Sequence, residues 1–173
     1  IVIPTRTVKK DALLKIEEYT RKIAEALQIK GPFNIQYLVE DGKVFVIECN
    51  LRASRSMPFV SKTVGINLIE IATNVILGQK LLGNFMPKPK HFGIKVPQFS
   101  FMRISGADPI LGIEMASTGE VACIGIDFNK TLIDAMRSAQ FSVPVEFGRV
   151  LISANKSARQ RILEDAKLLS SIG

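Results

Sequence analysis

Phe33-Asn34-Ile35-Gln36, then a turn, then Val46-Ile47-Glu48-Cys49-Asn50-Leu51-Arg52-Ala53-Ser54-Arg55 is the stretch whose reading decides the fold. It sets a carboxamide, a carboxylate, a second carboxamide and two guanidiniums at the ends of two strand-like runs. Oxygen ligands with no thiolate or imidazole among them suit a hard cation such as Mg²⁺, which keeps several waters and bridges to substrate phosphates. Arginines just past those ligands supply the planar, bidentate donors that phosphate and carboxylate oxygens favour. The pattern reads as a metal–nucleotide phosphate site. The competing reading is an ordinary hairpin whose wet face carries a few polar residues.

The turn decides between them. Asp41-Gly42 between apolar runs signals a two-residue type I′ hairpin. In a regular ladder that turn pairs Glu40 with Lys43 and Ile35 with Glu48, which leaves Gln36 on the face opposite the carboxylate. A three-residue loop of Glu40, Asp41 and Gly42, with Gly42 left-handed in a bulge, shifts the register by one. Asn34 then stands opposite Glu48, with Gln36 diagonal to it on the same face. A one-residue slip carries every side chain across the sheet, so the metal site is expected with the bulged loop. In that register Phe33, Ile35, Tyr37, Phe45, Ile47 and Cys49 form the apolar face.

Working outward, residues 9–29 carry apolar positions at Leu13, Ile16, Tyr19, Ile23 and Leu27, an amphipathic helix that Gly31-Pro32 ends. Asn67 and Glu70 form a capping box for a helix through Leu77, closed by Gly78. Leu81–His91 reads as a surface loop, and Gly93–Phe101 and Glu120–Ile126 as strands. A helix from Asn129 to Gln140 is apolar at Leu132, Ile133, Met136 and Ala139. Pro144 and Gly148 punctuate the chain before a buried-type strand, Val150–Ser153, and a helix, Ser157–Ser171. No internal repeat is visible.

The 173 residues, 47% apolar, suit a soluble globular domain with one good core. No apolar run has the length of a membrane span, and no signal-peptide pattern is present. Cys49 and Cys123 lie in apolar runs, as thiols in a reducing compartment do. The net charge of +7 suits anionic substrates or the exposed side of a larger assembly. No basic stripe interleaved with aromatics points to nucleic acid.

Three motifs carry a resemblance. Gly31-Pro32-Phe33-Asn34-Ile35-Gln36-Tyr37, Val46 to Ser56, and Pro58-Phe59-Val60-Ser61-Lys62-Thr63-Val64-Gly65 closely resemble the large subunit of carbamoyl phosphate synthetase. Pro-Phe-Val-Ser-Lys resembles its second, carbamate-phosphorylating ATP-grasp unit. Ala107–Gly112 and Glu114–Val121 resemble that unit's closing segment. The similarity runs in order along nearly the whole chain. It implies an α+β fold: the C-terminal half of an ATP-grasp fold, with antiparallel sheet and flanking helices. It also implies the first strand–helix unit of a following α/β domain that resembles methylglyoxal synthase. Residues 1–146 would be the ATP-grasp part and 147–173 the start of the regulatory domain, which one strand and one helix cannot complete.

The resemblance also implies roles. Gln36 and Glu48 match positions that contact metal and ATP, Asn50 matches a metal ligand, and Arg52 and Arg55 match arginines beside the phosphates and the carbamate. Cys49 and Leu51 depart from the family pattern at positions that donate no ligand. The implied activity is MgATP-dependent phosphorylation of carbamate to carbamoyl phosphate in a cytoplasmic ligase, with Mg²⁺ or Mn²⁺, bicarbonate and ammonia. The partners are the remainder of the large subunit and a glutamine amidotransferase subunit, with no nucleic acid or membrane. With no glycine-rich phosphate loop or adenine-pocket segment, the chain is expected to be a fragment, inactive alone. Runner-up readings are another ATP-grasp ligase, such as a biotin-dependent carboxylase, and a non-catalytic scaffold. His91, the only histidine, reads as a solvated loop residue rather than a base. Lys95 either points toward the active site or snorkels from the core edge. Ser117–Glu120 reads as a turn in which Glu120 pairs with a basic side chain.

Overall fold

A computed structural model describes residues 1–81, 88–110, 117–141 and 148–172. Ten regular elements follow one another in chain order: β1 (Val2–Ile3), α1 (Lys10–Ala26), β2 (Asn34–Glu40), β3 (Lys43–Asn50), α2 (Met57–Val64), α3 (Leu68–Ile76), β4 (Phe92–Phe99), β5 (Ser117–Gly125), α4 (Phe128–Ser138) and α5 (Arg159–Ile172). A single 3₁₀ turn, Ser100–Met102, follows β4. The chain divides into two compact units, Ile1–Gln140 and Phe141–Gly173.

The first unit holds two antiparallel sheets, β1-β4-β5 and the β2-β3 hairpin. Ile94 at the centre of β4 is 1% exposed. It shares a sheet face with Cys123, its partner across the β4–β5 ladder. α4 covers that face. Its buried side is Thr131, Ala135 and then Ala139 just past its end, one residue every four. Small side chains at that spacing let a helix axis come close to a sheet, and a Cβ on Gly125 would overlap the Thr131 hydroxyl. Sequence periodicity named Leu132, Ile133, Met136 and Ala139, of which Ala139 is buried and Leu132 and Met136 are half-buried. Ile133 is exposed, because the close approach of alanine and threonine turns the larger side chains aside. Asp127 starts α4 by accepting from the Lys130 amide at 2.7 Å.

α2 packs on the opposite face at the Gly93 end of β4. Phe59 and Thr63, one turn apart, are its buried residues. The Thr63 hydroxyl donates back to the Phe59 carbonyl at 2.9 Å, so it enters the core without an unpaired donor. α2 has no counterpart among the sequence-based expectations. Its signals were Pro58 in the first turn and Gly65 just past the end, left-handed at φ 71°. α3 begins as expected: Asn67 Oδ1 accepts from the Glu70 amide at 3.2 Å, and its amide donates to the Glu70 carboxylate at 3.2 Å.

Among the described residues no single helix is long and apolar enough to cross a membrane. α2 and α3 would pass such a test only together, and they are bent by 118° at the break between them.

Two expectations are corrected. Val150–Ser153 forms no strand; Leu151 is 95% exposed. An apolar run becomes a strand only where a neighbouring ladder accepts its backbone groups. Ser117–Glu120 is the start of β5 rather than a turn, and Glu120 does pair with a base: Lys95 Nζ lies 2.6 Å from its carboxylate. The Lys95 side chain is 11% exposed, so its stem is covered while its charge is met at the rim. Residues 82–87 of the expected loop, 111–116 of the closing segment and Pro144 lie outside the described residues.

The close approach at Gly93 generates a test. A Cβ there would overlap the Thr63 side chain and touch the Phe59 ring. Gly93→Ala is therefore expected to destabilise the chain by about 1–3 kcal/mol, the usual cost of overpacking. Urea unfolding followed by far-UV circular dichroism measures it.

Candidate metal and phosphate site

The hairpin closes with a two-residue turn. Glu40 pairs with Lys43, and Asp41 and Gly42 have φ of 49° and 74°, the doubly left-handed pattern of type I′. The expected three-residue loop is absent. The extra residue is absorbed farther along β3: Tyr37 pairs with Val46 but Gln36 pairs with Glu48, so Ile47 is left without a partner. This is a β-bulge, two residues of one strand against one of the other. Beyond it Ile35 pairs with Cys49 and Asn34 with Asn50.

The consequence is the arrangement that the metal reading needs, reached by another route. Directly opposed residues share a face, so Asn34, Gln36, Glu48 and Asn50 stand together. The apolar face is also revised. Phe45 pairs with Leu38 and lies on the polar residues' side, while Val44 and Val46 pair with Val39 and Tyr37 on the other. α1 covers that other side: the Thr20 and Tyr37 hydroxyls share a hydrogen bond of 2.7 Å, and Lys15 Nζ donates to the Gly42 carbonyl at 3.3 Å. Gln36, Leu38, Phe45 and Glu48 are exposed.

Within the cluster, Asn50 Nδ2 donates to Glu48 Oε1 at 2.8 Å. Asn34 Nδ2 donates to the Arg52 carbonyl at 3.4 Å, which ties the segment leaving β3 back to β2. Arg52 Nη1 donates to the Ala53 carbonyl at 3.3 Å. Arg52 and Arg55 are both exposed. The hairpin thus assembles Gln36, Glu48 and Asn50, with the arginines two and five residues past Asn50; no hydrogen bond joins either guanidinium to the three. Phe45 on this face was missed, since the two-residue turn pairs it with Leu38, where the expected three-residue loop would pair it with Tyr37.

The donor set fits a hard cation. Glu48 brings a carboxylate, and Gln36, Asn50 and Asn34 bring carboxamide oxygens. A cation beside Glu48 requires Asn50 to present its oxygen instead of its nitrogen, a turn about a broad terminal torsion. Among the described residues no three His, Cys, Asp or Glu gather into a metal-binding group. This face has one carboxylate, so much of a bound cation's charge would be met by phosphates and water. Cys49 and Cys123 are free and half-buried. His91 is exposed, as expected of a solvated residue.

Comparison with known proteins decides the family. Residues 1–83 match the model of the carbamoyl-phosphate synthase L chain, ATP binding domain. The human carbamoyl-phosphate synthase [ammonia], mitochondrial, is 45% identical over 180 residues, covering 100% of this chain. The chain belongs to the carbamoyl-phosphate synthase family. It spans 12% of the human synthase and 9% of a second relative, the multifunctional protein pyr-3 of Neurospora crassa, which is 46% identical over 97% of this chain. Among solved structures, N5-carboxyaminoimidazole ribonucleotide synthetase from Thermotoga maritima has a TM-score of 0.60 at 16% identity, over 80% of this chain and 44% of its own. The ADP complex of purK gives 0.57 at 15% identity, over 80% and 40%. At that identity the likeness speaks for the fold alone: α+β, an ATP-grasp half with antiparallel sheets and flanking helices.

A paramagnetic titration tests the cluster. Mn²⁺ is expected to broaden the resonances of Asn34, Gln36, Glu48 and Asn50 ahead of all others, with a dissociation constant on the order of 1 mM, the weak end of oxygen-ligand sites. Glu48→Gln should remove the effect.

Proposed function

We propose that this chain supplies the metal- and phosphate-binding hairpin of the second ATP-grasp unit of carbamoyl-phosphate synthase, which phosphorylates carbamate at the expense of MgATP. The observation that carries the reading is the pairing of Gln36 with Glu48 beside Asn50 on an exposed sheet face, followed by Arg52 and Arg55. Identity of 45% with a carbamoyl-phosphate synthase supports it. Residues 1–146 are the ATP-grasp part in this reading, and 147–173 open the regulatory domain.

In the reaction a carbamate oxygen attacks the γ-phosphorus of ATP, the bond to the β,γ-bridging oxygen breaks, and ADP leaves with that electron pair. Phosphoryl transfer is catalysed mainly by position and charge, and this hairpin offers groups for both. Glu48, Gln36 and Asn50 would hold Mg²⁺ or Mn²⁺. Held there, such a cation would supply charge neutralisation for the nucleotide's phosphates. Arg52 and Arg55 present planar guanidiniums that orient a carboxylate-like carbamate and steady the transferring group. No nucleophilic serine, cysteine or histidine is required.

Bicarbonate and ammonia are the upstream substrates in this reading. The partners are the rest of the large subunit and a glutamine amidotransferase subunit or domain. Pyrimidine-pathway and arginine-pathway enzymes both fit. A cytoplasmic setting agrees with the free thiols, although the human relative is named as mitochondrial. A second reading, another ATP-grasp ligase, is favoured only by the shared fold of the ribonucleotide synthetases, and their 16% identity weighs little beside 45%.

In the full-length synthase, Glu48→Gln should leave the fold intact and lower ATP formation from ADP and carbamoyl phosphate by on the order of 10²–10³, the usual loss of one preorganised electrostatic element. A near-wild-type rate would exclude Glu48 as a metal ligand.

A further inference from the structure

An open cavity of about 580 Å³ lies at the other sheet, lined by half-buried Val2 and Phe128 and by exposed Thr5, Arg6 and Thr7. None of these residues belongs to the hairpin. The Arg6 guanidinium stands 4.0 Å above the centre of the Phe128 ring. That ring is itself held edge-on by Phe92, with centroids 5.6 Å apart. Stacking on an aromatic face orients a guanidinium and leaves its in-plane N–H donors free to engage an acceptor. The ion pairs among the described residues are Lys22–Glu18 and Lys95–Glu120, and neither engages Arg6.

The lining thus combines an oriented cation and two hydroxyls with an apolar wall of Val2 and Phe128. We propose that this cavity binds a small organic monocarboxylate, its carboxylate on Arg6 with Thr5 and Thr7 and its apolar body against Val2 and Phe128. A bidentate guanidinium–carboxylate pair uses the free edge of Arg6. Asp127 neighbours Phe128 and keeps its carboxylate on the Lys130 amide. A phosphate has no apolar body to lie against Val2 and Phe128, which leaves the organic monoanion as the better guest.

The test is a two-dimensional amide NMR titration of the whole chain with benzoate, with neutral benzamide and with inorganic phosphate. Benzoate is expected to shift Thr5, Arg6, Thr7 and Phe128 while the hairpin resonances stay in place, with benzamide and phosphate at least tenfold weaker. Arg6→Ala should weaken benzoate at least tenfold with an unchanged hairpin spectrum. Equal affinity for benzoate and benzamide, tighter binding of phosphate, or no shift at these four residues would overturn the proposal. The comparison of the three probes on the unmodified chain decides the matter even if Arg6→Ala fails to fold, as it would were Arg6 only a clip on Phe128.

Discussion

The site depends on where β3 accommodates one surplus residue. A type I′ turn at Asp41-Gly42 and an unbroken ladder would place Ile35 against Glu48 and send the carboxylate to the side that α1 covers. Skipping Ile47 reverses this: beyond the bulge Gln36 meets Glu48 and Asn34 meets Asn50. Side chains alternate with a period of two, so one unpaired residue is enough to move Glu48 and Asn50 from the covered face to the open one that carries Asn34 and Gln36. Bulges recur beside active sites because they re-aim side chains in this way.

The opposite face is fixed by different means. α1 lies over Tyr37 and the turn, held by the Thr20–Tyr37 hydroxyl pair and by Lys15 on the Gly42 carbonyl. A sheet of two strands gains stability only when something packs on it, and here a single helix does so, which leaves the side bearing Glu48 to solvent. Glycine and small side chains perform the packing of the other sheet. Gly93 admits Phe59 and Thr63 of α2, and Gly125 admits Thr131 of α4. Both helices thereby come close to β4 and β5 around the buried Ile94 and Phe59.

Much of this was legible in the residues. Amphipathic spacing placed α1, the Asn67–Glu70 box placed the start of α3, and a run of oxygen ligands with arginines after it named Gln36, Glu48, Asn50, Arg52 and Arg55 as one group. The face that Gln36, Glu48 and Asn50 share was also foreseen, though through a bulged loop that does not form. Turn chemistry and register are separable: Asp41-Gly42 specifies its own turn, and no local pattern marks Ile47 as the residue to be skipped. Phe45 was placed on the Tyr37 face by the three-residue loop, and the two-residue turn puts it opposite Leu38 instead. α2 escaped notice because its eight residues include three β-branched ones and a proline. Val150–Ser153 failed in the opposite sense, since its apolar character could not supply a neighbouring strand.

Cross-strand NOE contacts in the isotopically labelled chain test the central claim most directly. With the bulge at Ile47, α-proton contacts should join Gln36 with Glu48, and side-chain contacts should join Tyr37 with Val46. Contacts of Ile35 with Glu48 and of Asn34 with Cys49 would mean an unbroken ladder. The carboxylate would then lie on the covered face, and the hairpin would offer no candidate metal and phosphate site.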